Sequence, residues 1–179
     1  MQFAQGDVPG SLIDPATVQW MCGLAERTPQ GCFVEVGVYK GGAAWHLAKV
    51  AQRQGRSIYL YDTFTGIPFR DEIDAHAVGD FSDTSVEAVR EAIPYASVVP
   101  GLFPGTLLAG TPGVAFAHID VDQYRSTREA ILALSPLMVE GGIMVFDDYG
   151  VLVSATTAVN ELFDKLEGGS GDPKSYITF

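Results

Sequence analysis

Short apolar runs alternate with amphipathic segments along most of the chain. Five of these runs have the length of strands, are rich in β-branched and aromatic residues, and are bounded by glycine, proline or polar residues. The predicted strands cover 32–36, 57–61, 96–100, 114–119 and 142–146, and SYITF at 175–179 is predicted as one last strand. Apolar runs of this kind are typical of strands that are buried on both faces of a parallel sheet.

Segments with apolar residues at helical spacing separate the strands. Asp14 followed by Pro15 predicts a helix start, since aspartate caps helices and proline suits their first position. The other predicted helices cover 41–52, the segments opened by the capping-box pairs Thr84/Glu87 and Ser126/Glu129, and the apolar positions Ala155, Ala158, Leu162 and Leu166. The alternation predicts an α/β fold in one domain over 1–179, with a mostly parallel sheet and helices on both of its faces.

Composition and charge narrow the class of protein. The chain has 47% hydrophobic residues, enough for one substantial core, and 11 Lys+Arg against 22 Asp+Glu, a formal charge of −11. Such a surface repels nucleic acid and anionic membranes, so we expect neither as a partner. The start, MQFAQGDVPG, lacks the features of a secretion signal, and no run is long enough to span a membrane. Cys22 and Cys32 form no CxxC motif, which favours reduced thiols and a cytoplasmic protein. Association into a homo-oligomer is left open.

Acidic residues stand at the carboxyl ends of several predicted strands. They are Glu35 in the first strand, Asp62 after the second, Asp120 and Asp122 after the fourth, and Asp147 and Asp148 after the fifth. In an open parallel sheet these ends share one edge, where ligands bind. Like charges gathered there repel one another unless a cation is held among them.

The loop after the first strand, VEVGVYKGG, has the glycines of a cofactor-binding turn but not the dinucleotide pattern. Tyr39 stands where the fingerprint GxGxxG has its middle glycine, which makes room for a pyrophosphate, so a nicotinamide cofactor is disfavoured. Glu35 before this loop and Asp62 after the second strand suit a ligand that has an amine and a ribose. Asp62 would accept hydrogen bonds from the ribose hydroxyls.

The aspartates after the fourth and fifth strands predict a metal site. Oxygen-only ligands from separate strand ends are the set that Mg²⁺ prefers. The alternative is that Asp147 and Asp148 only shape a turn. Of the three histidines, His46 and His118 lie in a predicted helix and strand and are interpreted as packing or surface residues. His76 lies in the long loop between Asp62 and Asp83, so it is a candidate proton acceptor.

Five ordered segments, FVEVGVYKGG, YDTFTGIPF, GLFPGTL, IDVDQYRSTREAIL and GGIMVFDDYG, together resemble S-adenosylmethionine-dependent O-methyltransferases of the macrocin O-methyltransferase type, which methylate sugar hydroxyls of antibiotics. The resemblance implies a Rossmann-like class I methyltransferase fold. It implies a small-molecule hydroxyl acceptor, a sugar or another vicinal diol, and assistance by Mg²⁺. In this fold the chain ordinarily ends in a hairpin, whereas the sequence here predicts a single last strand.

The resemblance also implies roles for particular residues. The cofactor site would comprise Glu35, Gly37, Val38, Asp62, Thr63, Gly101, Leu102 and Asp120. The metal ligands would be Asp120, Asp147 and Asp148, and the base Asp122 or the loop histidine His76, while either Asp120 or Asp122 can supply the ligand from the fourth strand. Two other hypotheses are a cofactor-binding module without catalysis and an NAD-dependent reductase; the missing glycine argues against the second.

Overall fold

A mostly parallel sheet forms the centre of the structure, a computed structural model that describes residues 8–163, 167–168 and 175–179. The strands are β1 Cys32–Val36, β2 Ile58–Asp62, β3 Ser97–Pro100, β4 Val114–Ile119, β5 Met138–Phe146, β6 Glu167–Gly168 and β7 Ser175–Thr178. Within the described residues their order is β3-β2-β1-β4-β5-β7-β6. Strands β1 to β5 pair in parallel, and β7 pairs antiparallel with β5 and β6.

Five α-helices cover this sheet in the described part of the chain. They are α1 Pro15–Ala25, α2 Gly42–Arg53, α3 Val86–Ala92, α4 Tyr124–Leu134 and α5 Val153–Asn160, and a 3₁₀ turn covers Ser135–Leu137. Helices α1, α2 and α3 contribute to one buried apolar cluster, and α4 and α5 to a second. The predicted α/β class with helices on both faces is therefore confirmed.

Strand β1 shows why the sheet lies at the centre of the core. All five of its residues are buried. Successive side chains of a strand point to opposite faces, and accordingly Phe33 belongs to the first cluster and Val34 to the second. Each fully buried large side chain of this kind contributes roughly 1.5–3 kcal/mol. The burial fixes the strand ends, and with them the loops that carry the acidic residues.

The helix starts agree only in part with the prediction. Asp14 caps α1 as predicted, because its Oδ1 accepts hydrogen bonds from the N–H groups of Ala16 and Thr17, both at 3.0 Å. The capping-box prediction at Thr84 is wrong by one residue, since Ser85 caps α3 through the N–H of Ala88.

The predicted start of α4 at Ser126 is also wrong. Helix α4 begins at Tyr124, and its N-cap residue Gln123 makes no side-chain capping bond. Asp74, fifty residues earlier in the chain, instead accepts the hydrogen bond from the Tyr124 N–H at 2.8 Å. A partner that distant in sequence leaves no local signal at the helix start.

The carboxyl-terminal region also differs from the prediction. The single last strand expected there is a hairpin, since β6 pairs antiparallel with β7. Helix α5 ends at Asn160, short of the predicted Leu162, and Leu166 lies outside the described residues. Strand β5 begins at Met138 rather than 142, because Met138 already pairs with Val114 of β4. None of the helices in the described residues combines the length and the apolar character that a membrane crossing needs.

Candidate active site at the carboxyl ends of the strands

A cavity of about 280 Å³ opens at the carboxyl ends of β1 to β5. Its lining includes all the predicted cofactor and metal residues, namely Glu35, Gly37, Val38, Asp62, Thr63, Gly101, Leu102, Asp120, Asp147 and Asp148. Asp122 also lines it. Several lining residues were not predicted from the sequence, among them Ser11, Tyr39, Tyr61, Phe81, Phe103 and Gln123. The strand-edge rule locates the acids, but loops, strand β2 and the amino-terminal segment supply these other side chains, and no residue pattern marks them.

Gly37 lets the loop after β1 pass directly over the end of β4. Its backbone has a φ of +88°, in the left-handed region, and an added Cβ would lie 1.6 Å from the Asp120 carbonyl oxygen. Only glycine fits this position, for reasons of both conformation and space. The loop after β1 and the end of β4 are therefore in direct backbone contact at Gly37 and Asp120.

Asp62 braces the same loop. Its Oδ2 accepts hydrogen bonds from the N–H groups of Val38 at 2.7 Å and Tyr39 at 2.8 Å, while Oδ1 accepts one from Phe64 at 2.7 Å. The sequence predicted a ribose contact for Asp62, and the structure adds this bracing of the loop. Oδ2 thus accepts two hydrogen bonds and Oδ1 only one, so Oδ1 retains a lone pair for a hydroxyl donor at the cavity surface.

Glu35, which lines the cavity, forms a buried charged pair with His118. His118 Nδ1 lies 2.9 Å from Glu35 Oε1, and the two side chains are essentially inaccessible to solvent. His118 Nε2 lies 3.8 Å from Asp147 Oδ1, and Glu35 Oε2 has no hydrogen-bond partner among the described residues. His118, interpreted from the sequence as a packing or surface residue, thus connects the cofactor half of the cavity to the acidic half.

The protonation of this pair follows from its surroundings. Burial raises the pKa of Glu35, and contact with His118 opposes that shift. Burial by itself lowers the pKa of His118, but the neighbouring carboxylates of Asp147, Glu35 and Asp120 raise it to about 10. His118 is therefore a buried cation at neutral pH.

Four aspartates form two groups of neighbouring ligands beside this pair, which share Asp120 and contain Asp147 and Asp148 separately. Oxygens of Asp120, Asp122 and Asp148 lie within 4.8 Å of one another, and so do ligand atoms of His118, Asp120 and Asp147. Burial, followed by the charges of Asp147 and Asp148, raises the pKa of Asp120 well above its ordinary range. Burial, followed by the charge of Asp147 and those of Asp74 and Asp80, raises the pKa of Asp122 to about 6. The cluster thus carries the like-charge repulsion that a bound cation would relieve.

His76 lies behind Asp122 and does not line the cavity. Its Nε2 is 3.4 Å from Asp122 Oδ1, and its Nδ1 is 3.7 Å from Asp80 Oδ2. Asp122 itself is held from two sides, because its N–H donates to Asp148 at 3.3 Å and its carbonyl accepts a bond from Ser154 at 2.5 Å. The structure therefore brings together the two residues that the sequence offered as alternative bases.

Strained backbone is concentrated around this cavity. Tyr39, Phe64, Phe81 and Asp122 are the non-glycine residues with positive φ in the described part of the chain, with values of 51–62°. Three of them line the cavity, and the fourth, Phe64, donates its N–H to Asp62. The Phe81 ring packs edge-on against Tyr39 and His76, with centroid distances of 5.9 and 4.9 Å. Such conformations cost ~1–3 kcal/mol each and persist where surrounding contacts impose them, commonly at functional sites.

The same architecture occurs in solved methyltransferases. The O-methyltransferase NovP matches with a TM-score of 0.81 at 24% identity, over 94% of this chain and 81% of NovP. The calicheamicin methyltransferase CalS11 matches with a TM-score of 0.76 at 21% identity, over 92% of this chain and 77% of that one. The fold is that of class I S-adenosylmethionine-dependent methyltransferases, as the resemblance implied.

The sequence comparisons identify the family. The model of the macrocin O-methyltransferase (TylF) family matches residues 21–167, and the chain belongs to this family. A Streptomyces olivaceus protein named 8-demethyl-8-(2,3-dimethoxy-alpha-L-rhamnosyl)-tetracenomycin-C 4'-O-methyltransferase is 30% identical over 150 residues, 72% of this chain and 56% of that protein. Demethyldecarbamoylnovobiocin O-methyltransferase of Streptomyces niveus is 28% identical over 156 residues, 76% of this chain and 60% of that protein. The chain thus spans a little over half the length of these relatives.

Proposed function

We propose that the protein transfers the methyl group of S-adenosylmethionine to a hydroxyl of a small molecule, a sugar or another vicinal diol, with the assistance of Mg²⁺. The observation that carries this proposal is the meeting of Glu35, Gly37 and Asp62 with the four-aspartate cluster in one cavity. Family membership supports the reaction class.

The cofactor half of the cavity has the polar groups that the ligand would need. Glu35 Oε2 is a buried acceptor without a hydrogen-bond partner among the described residues, and the α-ammonium group of S-adenosylmethionine is a donor of matching charge. Asp62 has acceptor capacity for ribose hydroxyls. Thr63, Gly101 and Leu102 line the same cavity and would surround the ribose and the adenine. The residues present therefore fit this cofactor.

The acidic half of the cavity fits a divalent cation. Asp120, Asp147 and Asp148 would hold Mg²⁺, because carboxylate oxygens from separate strand ends suit this hard cation and their mutual repulsion favours it. When bound, Mg²⁺ would orient the oxygens of a diol and favour the ionised form of a hydroxyl.

Residues of the protein itself would accept the proton and position the reactants. Asp122 faces the cavity and would accept the proton of the acceptor hydroxyl, and His76 Nε2, 3.4 Å behind it, would share or relay that proton. The loops around the cavity would hold donor and acceptor at attack distance, an effect worth up to ~7–11 kcal/mol. Tyr39 and Phe81 provide apolar walls near the Asp122–His76 pair.

The names of the relatives suggest where to look for the acceptor. They describe O-methylation of a rhamnosyl tetracenomycin, of demethyldecarbamoylnovobiocin and of mycinamicin III. We therefore propose a glycoside hydroxyl as the methyl acceptor, with a deoxyhexose such as rhamnose as the first class to test.

Two measurements test the proposal. Calorimetry with S-adenosylhomocysteine, with and without Mg²⁺, measures cofactor and metal binding. Turnover of S-adenosylmethionine is then measured on a panel of rhamnosides and other diols, with EDTA added in one arm. We expect turnover that is lost in EDTA and in Asp147→Ala, while Asp147→Ala retains cofactor affinity. Equal activity with and without EDTA would show that the metal has no role in the reaction. Cofactor binding without turnover on any acceptor would indicate a non-catalytic cofactor-binding module.

A further inference from the structure

The long loop after β2 is closed at its base by backbone hydrogen bonds. Ile67 donates its N–H to the Asp80 carbonyl at 2.9 Å, and Gly79 donates its N–H to the Ile67 carbonyl at 2.9 Å. Residues 68–78 therefore form a loop whose two ends are fixed together. Most of the side chains in this loop are exposed, so burial alone does not hold its outer part in place.

Asp74 is the exception, because it is buried in this otherwise exposed loop with only 3% of its surface accessible. One carboxylate oxygen accepts a hydrogen bond from the Asp71 N–H at 2.8 Å, which shapes the loop itself. The other accepts from the Tyr124 N–H at 2.8 Å, which joins the loop to the start of α4. Gln123 adds a second connection by donating its side-chain N–H to the Phe69 carbonyl.

The hydrogen bond from Tyr124 to Asp74 gives a partner both to a helix N–H group and to a buried carboxylate. The first N–H groups of a helix have no partner within the helix, and Gln123, the N-cap residue of α4, makes no side-chain capping bond. A buried carboxylate in turn needs donors, and the partial positive charge of a helix amino terminus stabilises it. Asp74 therefore acts as the cap of α4 from a distant part of the chain.

We propose that Asp74 is a positioning residue that fixes His76 against Asp122, an inference that rests on the proposed function of that pair. The Asp74–Tyr124 bond and the His76–Asp122 contact join the same two segments, two residues apart on each. The His76 side chain is 32% exposed and is flanked by Asp80, Asp122 and Phe81, of which Asp122 and Phe81 have positive φ. Loss of the Asp74 bond would release the loop and separate His76 from Asp122.

The first test measures the accessibility of His76 directly, without an acceptor. Diethyl pyrocarbonate modifies exposed imidazoles, and mass spectrometry of peptides gives the rate at each histidine. In Asp74→Ala we expect the rate at His76 to rise at least several-fold, whereas the rate at His46, on the distant helix α2, stays unchanged. Asp74→Asn should give a rate between those of Asp74→Ala and the wild type, because the asparagine oxygen still accepts the Tyr124 N–H while its NH2 group cannot accept the Asp71 N–H. Glu72→Gln, an exposed acid in the same loop, is the matched control and should change nothing.

A second variant removes the same hydrogen bond from its other end. Tyr124→Pro deletes the donor N–H, and proline suits this first helical position after the extended Gln123. Tyr124→Ala keeps the N–H and controls for the lost side chain. Should Asp74→Ala fail to fold, Tyr124→Pro decides the proposal, since it must also raise the rate at His76 above that of Tyr124→Ala. An unchanged His76 rate in a folded variant that lacks the bond would overturn the proposal.

The kinetic arm separates positioning from simple stabilisation. On an acceptor that the wild type turns over, Asp74→Ala should lower kcat by ~10- to 100-fold at temperatures well below unfolding, with the affinity for S-adenosylhomocysteine unchanged and Asp74→Asn restoring kcat in part. An unchanged kcat would overturn the proposal. If the wild type turns over no acceptor, the proposed function fails, whereas the modification rates still decide whether Asp74 positions His76.

Discussion

Glu35 and His118 face each other across neighbouring strands, paired in register, with Glu35 Oε1 2.9 Å from His118 Nδ1. Both side chains are fully buried, so each depends on the other for its charge. We expect His118→Ala to lower the free energy of unfolding by ~3–5 kcal/mol, because Glu35 would remain buried without its partner. Urea denaturation measures the loss. His46→Ala, a substitution of a partly exposed histidine on α2, should cost much less, and equal losses would contradict the role of the pair.

Glu35→Gln should weaken binding of S-adenosylhomocysteine by roughly ten-fold or more. Glutamine can keep the contact with His118, but it replaces a carboxylate with a neutral amide where the cofactor ammonium would bind, and a hydrogen bond to a charged group is worth ~1.5–3 kcal/mol. Isothermal titration calorimetry gives the dissociation constant. Glu26→Gln, at an exposed glutamate that pairs with Arg53, should leave it unchanged. Unaltered affinity in Glu35→Gln would remove Glu35 from the cofactor site.

Gly37→Ala and Gly55→Ala form a matched pair of substitutions. Both glycines have positive φ, +88° and +66°, so both variants carry the backbone penalty of ~1 kcal/mol. Only at Gly37 would the new methyl group collide, 1.6 Å from the Asp120 carbonyl oxygen, whereas nothing lies within 4 Å at Gly55. We expect Gly55→Ala to melt close to the wild type and Gly37→Ala to lose several kcal/mol or fail to fold. Similar melting temperatures would show that the loop can move away from β4.

Asp122→Asn and Asp148→Asn distinguish the base from a metal ligand. Both residues belong to one triad of neighbouring carboxylates, so the geometry alone is compatible with either role for Asp122. We expect Asp148→Asn to weaken Mg²⁺ binding by ~10- to 100-fold. Asp122→Asn should retain Mg²⁺ binding while turnover falls by ~10²-fold or more. Calorimetry with Mg²⁺ alone and turnover with saturating Mg²⁺ give the two readouts, and loss of Mg²⁺ binding in Asp122→Asn would assign Asp122 to the metal.

Cys22 and Cys32 should react slowly with thiol reagents at pH 8. Burial is the main cause that raises the pKa of both thiols to about 11, and at Cys22 the charge of Glu26 contributes to this shift. Only about one thiol in a thousand is then ionised at pH 8, and the thiolate is the reactive form. The rate of reaction with Ellman's reagent should rise about ten-fold per pH unit between pH 8 and 10 while the protein stays folded. Rapid reaction at pH 8 in the folded protein would contradict this burial effect.

Much of the fold could be predicted because strands that are buried on both faces of a parallel sheet have continuous apolar sequences. Strand β4 lies where the sequence predicted it, and β1 does as well. The cavity acids were found by the same reasoning, since the ends of parallel strands meet at one edge. The parts that were missed depend on contacts between distant segments. The cap of α4 comes from Asp74, and the partner of His118 comes from β1, so neither relationship has a local sequence pattern.

The close contact between Gly37 and the Asp120 carbonyl has a mechanical consequence for the proposed reaction. No side chain separates the tips of β1 and β4, and the Asp120 N–H donates to the Val36 carbonyl at 2.9 Å, so the two tips are held together. Thermal motion that shifts the cation-binding edge must carry the donor-binding turn along with it. The distance between the donor site and the acceptor site is thereby set by two backbone segments in contact rather than by long, mobile side chains.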